Sequence, residues 1–278
     1  MTKNNIDVRR KIWFTALPIL AIVAHFFSST IFLYSVYDLF LNVLHIPQEQ
    51  FMKFSYLAEM LVYVALILIF FIIYKLAFTE YKDEIKTALN IKDSAISLTA
   101  GVGVSGVSFL WILLVEKIPA LQGSLTAMDA TNKEIGGGSS LGVILIAVVA
   151  APLIEEILFR GIVFRSIRKV IPGWIPIILS AAMFGAYHMN MVQAVYATFM
   201  GIVAAIIYEK TNNLMYPILV HAANNLIGAI QSFIPSETGV LTLNMVSLAM
   251  IIPMCCVIYR LLKRNYTEQT YSKTPADI

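Results

Sequence analysis

Three chemically capable groups stand in the second half of this chain in places where charge is costly. Glu155, Glu156 and Arg160 lie together in an otherwise apolar run, His188 closes the stretch FGAYH, and His221 opens the stretch HAANN with Asn225 four residues on. An ionisable side chain at the centre of a bilayer costs roughly 2.5 to 3.5 kcal/mol even on lenient insertion scales, so such residues are functional candidates by default. On a helix, residues four apart share a face. That spacing predicts an ion pair between Glu156 and Arg160, sets Phe184 beside His188 and His221 beside Asn225, and turns Glu155 away from Glu156 by about 100°. Glu155 is then the carboxylate left over. Pro152 lacks an N–H and should free backbone carbonyls close to Glu155.

Peptide hydrolysis needs an activated water, a base and donors for the oxyanion. A carboxylate held in a low dielectric is a stronger base than one in water. Glu155 beside a neutral His188 can hold a water and take its proton, while His221 and Asn225 can donate to the developing oxyanion. The same atoms allow a second route, because Glu155, His188 and His221 form a familiar zinc ligand set with a fourth position open for water. The sequence leaves both open, zinc-bound and metal-free. It contains no HExxH helix and no GxSxG elbow, and its second half has no membrane-embedded Asp for an aspartyl mechanism. His25 and His45 have no carboxylate or amide at helical spacing within the same apolar run and read as packing residues, and Asp38 and Glu59 read as interfacial or helix-packing groups.

The elements that must position these residues are membrane helices. Of 278 residues, 59% are apolar and 13% charged, against about 25% charged in an ordinary soluble domain. Apolar runs of spanning length fall near residues 13–41, 54–76, 95–115, 141–164, 174–189, 191–208, 214–234 and 240–260, the fifth and sixth being short. The alternation of a barrel is missing, so the fold class is all-α: a polytopic bundle of about eight transmembrane helices. The first run is twice the length of a signal-peptide core and is expected to stay as a helix. With eight crossings, sixteen Lys and Arg residues fall on the side of the termini, three (Lys53, Lys117, Lys133) on the other, and Arg160 lies inside a helix. Basic loops stay inside, so the expected location is a cell membrane with both termini cytoplasmic.

The expected organisation is residues 1–140 as N-terminal helices, 141–232 as the catalytic core, and 233–278 as a last helix and polar tail. Within the first part, Thr79–Ser94 reads as an amphipathic surface helix and Glu116–Ser140 as a flexible outer loop. The tail after Arg264 reads as disordered. Adjacent Cys255 and Cys256 are neither a disulfide framework nor a metal motif. Nothing in the charge pattern points to nucleic acid. Counted at 1.5 Å per residue, Glu155 and His221 come out about 10 to 15 Å from the cytoplasmic face and His188 about 20 Å deep.

Taken together, the three segments resemble the CPBP family of intramembrane proteases, which includes the type II CAAX prenyl proteases and the bacterial Abi proteins. Its EExxxR motif matches Glu155, Glu156 and Arg160, its FxxxH motif matches Phe184 and His188, and its third motif matches His221 and Asn225, in family order between residues 141 and 232. The resemblance implies a peptidase acting on peptide or protein substrates at the bilayer. Eukaryotic members remove the last three residues of prenylated proteins, and bacterial members are linked to bacteriocin immunity or peptide maturation. It further implies Glu155 and His188 as water activators, His221 and Asn225 as oxyanion or metal partners, Glu156 and Arg160 as support, and the label metalloprotease. The rival reading is a transporter or binding-type immunity protein in which the Glu and His residues relay protons or fix packing. A transporter would be expected to show duplicated halves, and none are found.

Overall fold

A computed structural model describes residues 7–80, 89–134 and 139–263, except for the side chain of Lys133. Among them there are helices and no strands. The helices are α1 (Val8–Val43), α2 (Gln48–Met52), α3 (Ser55–Ala77), α4 (Ile91–Val115), α5 (Gln122–Glu134), α6 (Ser140–Val170), α7 (Ile175–Tyr187), α8 (Met191–Thr211), α9 (Met215–Phe233) and α10 (Glu237–Leu262). Six of them, α1, α3, α4, α6, α8 and α10, are long and apolar enough to cross a bilayer. The shorter α7 and the more polar α9 complete the eight apolar segments. The protein is a multi-pass membrane bundle. Its outward side chains, Ile31, Leu61, Leu68 and Ile252 among them, are exposed apolar groups, as a lipid solvent requires.

The axis of the bundle is α6. Every residue from Glu156 to Ile167 is buried, and a helix apolar on all sides has to be enclosed. It is enclosed by α1, α3, α7, α8 and α9. On α3 the inward residues Ala58, Val62, Leu66, Phe70 and Tyr74 recur every four positions, so one stripe faces α6 and the rest faces lipid. The second organising helix, α4, presents small residues to α9 and α10. A Cβ at Gly101 would collide with the Val220 carbonyl, and one at Gly106 with the Ser247 carbonyl. Without a hydrophobic driving force between helices in lipid, such close approach is what holds them together.

The α7–α8 hairpin carries His188. Gly173, at φ 80°, turns the chain after α6. Pro176 then sits in the first turn of α7, where its missing N–H costs nothing. Thirteen residues span only about 20 Å, short of a hydrocarbon core of about 30 Å. The helix stops because Met189 turns left-handed at φ 52° and Asn190 caps α8, its Oδ1 accepting from Val192 N and Gln193 N. Gly185 lets the hairpin close, since a Cβ there would strike Thr198 Oγ1 and the Ala194 carbonyl.

Helix lengths remove the mismatch in depth. The fourth apolar run continues to Val170 rather than stopping near 164, which puts Glu155 about 22 Å from that end, level with His188 at the far end of α7. The start of α9 is recessed: Leu214, just before it, is among the nearest neighbours of Gly161 on α6. Counting from that shared level, Glu155 and His221 both lie about 9 to 11 Å further along their helices.

Two expectations are corrected. The segment after Glu116 is not a flexible loop over its described length: a 3-10 turn at Pro119–Leu121 leads into α5. Met128 of α5 packs in a buried cluster with Val115 and Val192, and Asn190 Nδ2 donates to the Ser124 carbonyl at 2.7 Å. Residues 91–94, expected on the surface, form the first turn of α4, capped by Asn90, whose Oδ1 accepts from Asp93 N at 2.8 Å. Half of the amphipathic segment (81–88), Gly136–Gly138 and the tail from Arg264 lie outside the described residues.

Candidate active site

Near the middle of α6 the α-helical turn Ala151–Glu156 is flanked by two π-helical stretches, Ile144–Ala150 and Ile157–Phe164. Such π-bulges are frequent at functional sites. Glu156 is fully buried and its Oε1 accepts from Arg160 Nη1 at 3.0 Å. Arg160 is buried as well; its Nη2 donates to the Gly201 carbonyl at 3.1 Å and its guanidinium lies 4.8 Å from the Phe184 ring centre. Gly201 makes this possible, because a Cβ there would press on both Arg160 Nη2 and Ala181.

His221, from α9, enters between the two carboxylates. Its Nδ1 is 3.0 Å from Glu156 Oε1, and its Nε2 is 3.8 Å from Glu155 Oε2. Glu155 thus does not face away from Glu156 in function, although it points differently: one imidazole offers a nitrogen on each side, and each carboxylate meets one of them. With Glu156 as acceptor, Nδ1 carries hydrogen, and Nε2 is the atom whose role varies with protonation. The Oε2 of Glu155 is buried and has no hydrogen-bond partner. A gap of 3.8 Å is too long for a direct hydrogen bond but leaves room for a water off the line between the two atoms.

Phe184 forms the floor. Its ring is edge-on to His188 at 4.8 Å, to His221 at 5.7 Å and to Phe159 at 4.9 Å. The Nδ1 of His188 lies 2.9 Å from the Phe184 carbonyl one turn back. That carbonyl can only accept, so Nδ1 donates and Nε2 keeps an open lone pair. His188 is partly exposed whereas His221 is buried. Among the described residues no hydrogen bond joins His188 to either glutamate.

Asn225 has a structural duty that its spacing from His221 does not reveal. In the π-helical register Ala151 N bonds to the Ile146 carbonyl, so the next carbonyl, Ala147, would need an N–H from Pro152, which has none. Asn225 Nδ2 supplies it at 2.8 Å. Its Oδ1 accepts from Asn224 Nδ2 at 3.0 Å, and Ser105 Oγ on α4 donates to the Asn224 carbonyl. One amide hydrogen of Asn225 remains for another acceptor.

The residues singled out from the sequence thus come together on three helices, α6, α7 and α9, around Phe184. The zinc arrangement does not follow: among the described residues no group of three His, Cys, Asp or Glu side chains is placed to hold a metal ion. His221 has one nitrogen committed to Glu156. Sequence reasoning missed Tyr187, whose ring packs edge-on against Phe159 and His188. It also missed that His25 on α1 meets Tyr187. The position of Tyr187 next to His188 was the only available signal.

Comparison with known proteins finds similarity over the segment that carries these motifs. Residues 137–227 match the family described as type II CAAX prenyl endopeptidase Rce1-like. A curated relative, "Putative membrane peptidase YdiL" of Bacillus subtilis (strain 168), is 27% identical over 92 residues. The match takes in 33% of this chain and spans 38% of the relative's length. No solved structure matches the chain.

Proposed function

We propose that the protein is an intramembrane endopeptidase that hydrolyses peptide bonds of membrane-associated substrates, prenylated peptides included, with a water activated by Glu155 and His188. The observation that carries this reading is the unpartnered, buried Oε2 of Glu155 facing Nε2 of His221 at 3.8 Å. A water there donates to Glu155, and the open Nε2 of His188 orients it from the partly exposed side. Attack forms the O–C bond as Glu155 takes the proton; His221 Nε2, when protonated, and the spare amide hydrogen of Asn225 hold the oxyanion. Glu155 then returns its proton to the departing amine as the C–N bond breaks. Arg160 and Glu156 hold His221 in register. No step is routed through a metal, since the residues do not form a ligand set.

The test is cleavage by detergent-purified protein of a quenched peptide library and of a farnesylated peptide ending in a CAAX sequence. Each is compared with E155Q and E155A at matched folding, with and without a chelator. The two variants should lose about 100-fold or more of the rate, and the chelator should leave it unchanged. Variants that cleave as well as wild type would overturn the assignment. Loss on chelation, restored by zinc, would replace the protein-activated water with a metal-bound one.

A further inference from the structure

Outside the three motifs, one buried pair reaches the same chamber. His25, on α1 and 5% exposed, has its Nδ1 2.6 Å from the hydroxyl of Tyr187. Its ring packs edge-on against Phe70 at 5.1 Å and Tyr187 at 5.7 Å. Tyr187 in turn touches Phe159 at 5.5 Å and His188 at 6.2 Å, so its ring is part of the wall around Phe184. The other nitrogen of His25, Nε2, is buried with no partner.

The orphan favours one direction for the hydrogen bond, because His25 is buried whereas Tyr187 is partly exposed. If Tyr187 donated to Nδ1, the ring hydrogen would sit on Nε2 as a buried unpaired N–H, the rarer and costlier arrangement. With Nδ1–H donating to the phenol oxygen, Nε2 keeps only a lone pair and the Tyr187 O–H is left to point elsewhere. We infer that His25 and Tyr187 are a positioning pair, in which a histidine from α1, outside the matched segment, fixes the Tyr187 phenol in the wall of the chamber beside His188. The inference rests on the peptidase reading of that chamber. It makes α1 part of the catalytic apparatus rather than a membrane anchor alone.

The experiment measures kcat and KM on the farnesylated or library peptide for Y187F, H25F, H25N and the Y187F/H25F double variant, beside E155Q and with melting temperatures in detergent. Y187F and H25F should lower kcat about tenfold or more with KM little changed and melting temperatures near wild type. H25N, whose amide can stand in for Nδ1–H, should recover most of the loss, and the double variant should be no worse than Y187F, as for two residues acting through one group. If Y187F fails to fold, the contrast between H25F and H25N carries the test. Wild-type rates in Y187F and H25F beside an inactive E155Q would overturn the pair alone, as would losses that follow melting temperature without rescue by H25N. An active E155Q would overturn the peptidase reading instead.

Discussion

Arg160 is at once an ion-pair partner of Glu156, a donor to the Gly201 carbonyl and a cation over the face of Phe184. Only a planar, forked guanidinium can do all three, so lysine is not a substitute. Its removal leaves the buried Glu156 carboxyl with His221 alone. Breaking a buried pair from one side costs far more than the pair contributes, because a charge is stranded. R160M is therefore expected to destabilise the protein by about 3 to 5 kcal/mol. An R160M/E156Q double variant should recover part of that, because neither charge then remains. Denaturation of the detergent-purified proteins measures both, and an R160M variant as stable as wild type would contradict the role assigned to the pair.

At the scale of the element, α6 carries its glutamates between two π-helical stretches, and Pro152 links the register to α9 through Asn225. Loss of the amide leaves the Ala147 carbonyl buried without a donor, a cost of about 1 to 3 kcal/mol. Restoring the backbone N–H with P152A gives that carbonyl an alternative partner. N225A should thus be less destabilising in the P152A background than alone, with a coupling of about 0.5 to 3 kcal/mol. A double-variant cycle on unfolding free energy measures this separately from any effect on cleavage. Additive costs would mean that Asn225 and Pro152 do not share the Ala147 carbonyl.

For the whole molecule, depth and orientation matter most. The axis helix is sealed from Glu156 to Ile167, and Glu155, His188 and Asn225 are the partly exposed members of the site. Described Lys and Arg side chains cluster toward the opposite end of α6, with Arg165, Arg168 and Lys169 in its last turns. A reporter fused to either terminus is expected to be active only in its cytoplasmic form, following the excess of sixteen basic residues over three. A terminus found outside would invert the bundle and the side on which Glu155 is reached.

Much of this was legible from residues alone. Hydropathy located all eight apolar helices because lipid demands long unbroken apolar runs, and the charges stood out because a bilayer penalises them. The pairing of Glu156 with Arg160 followed from helical spacing. Tertiary structure decided what spacing within one segment cannot contain. It turned both glutamates onto the two nitrogens of a histidine from another helix, and it assigned Asn225 to a carbonyl freed by a proline 73 positions earlier. It also ended the fifth apolar run at His188, recessed α9 so that three helices meet at one depth, and folded part of the outer segment as α5. His25 is the sharpest case. Its own helix holds no carboxylate or amide at the right interval, and only the packing of α1 against the bundle brings it to Tyr187. Local pattern is written in period and composition; convergence depends on how whole helices are offset and tilted, which no single segment encodes.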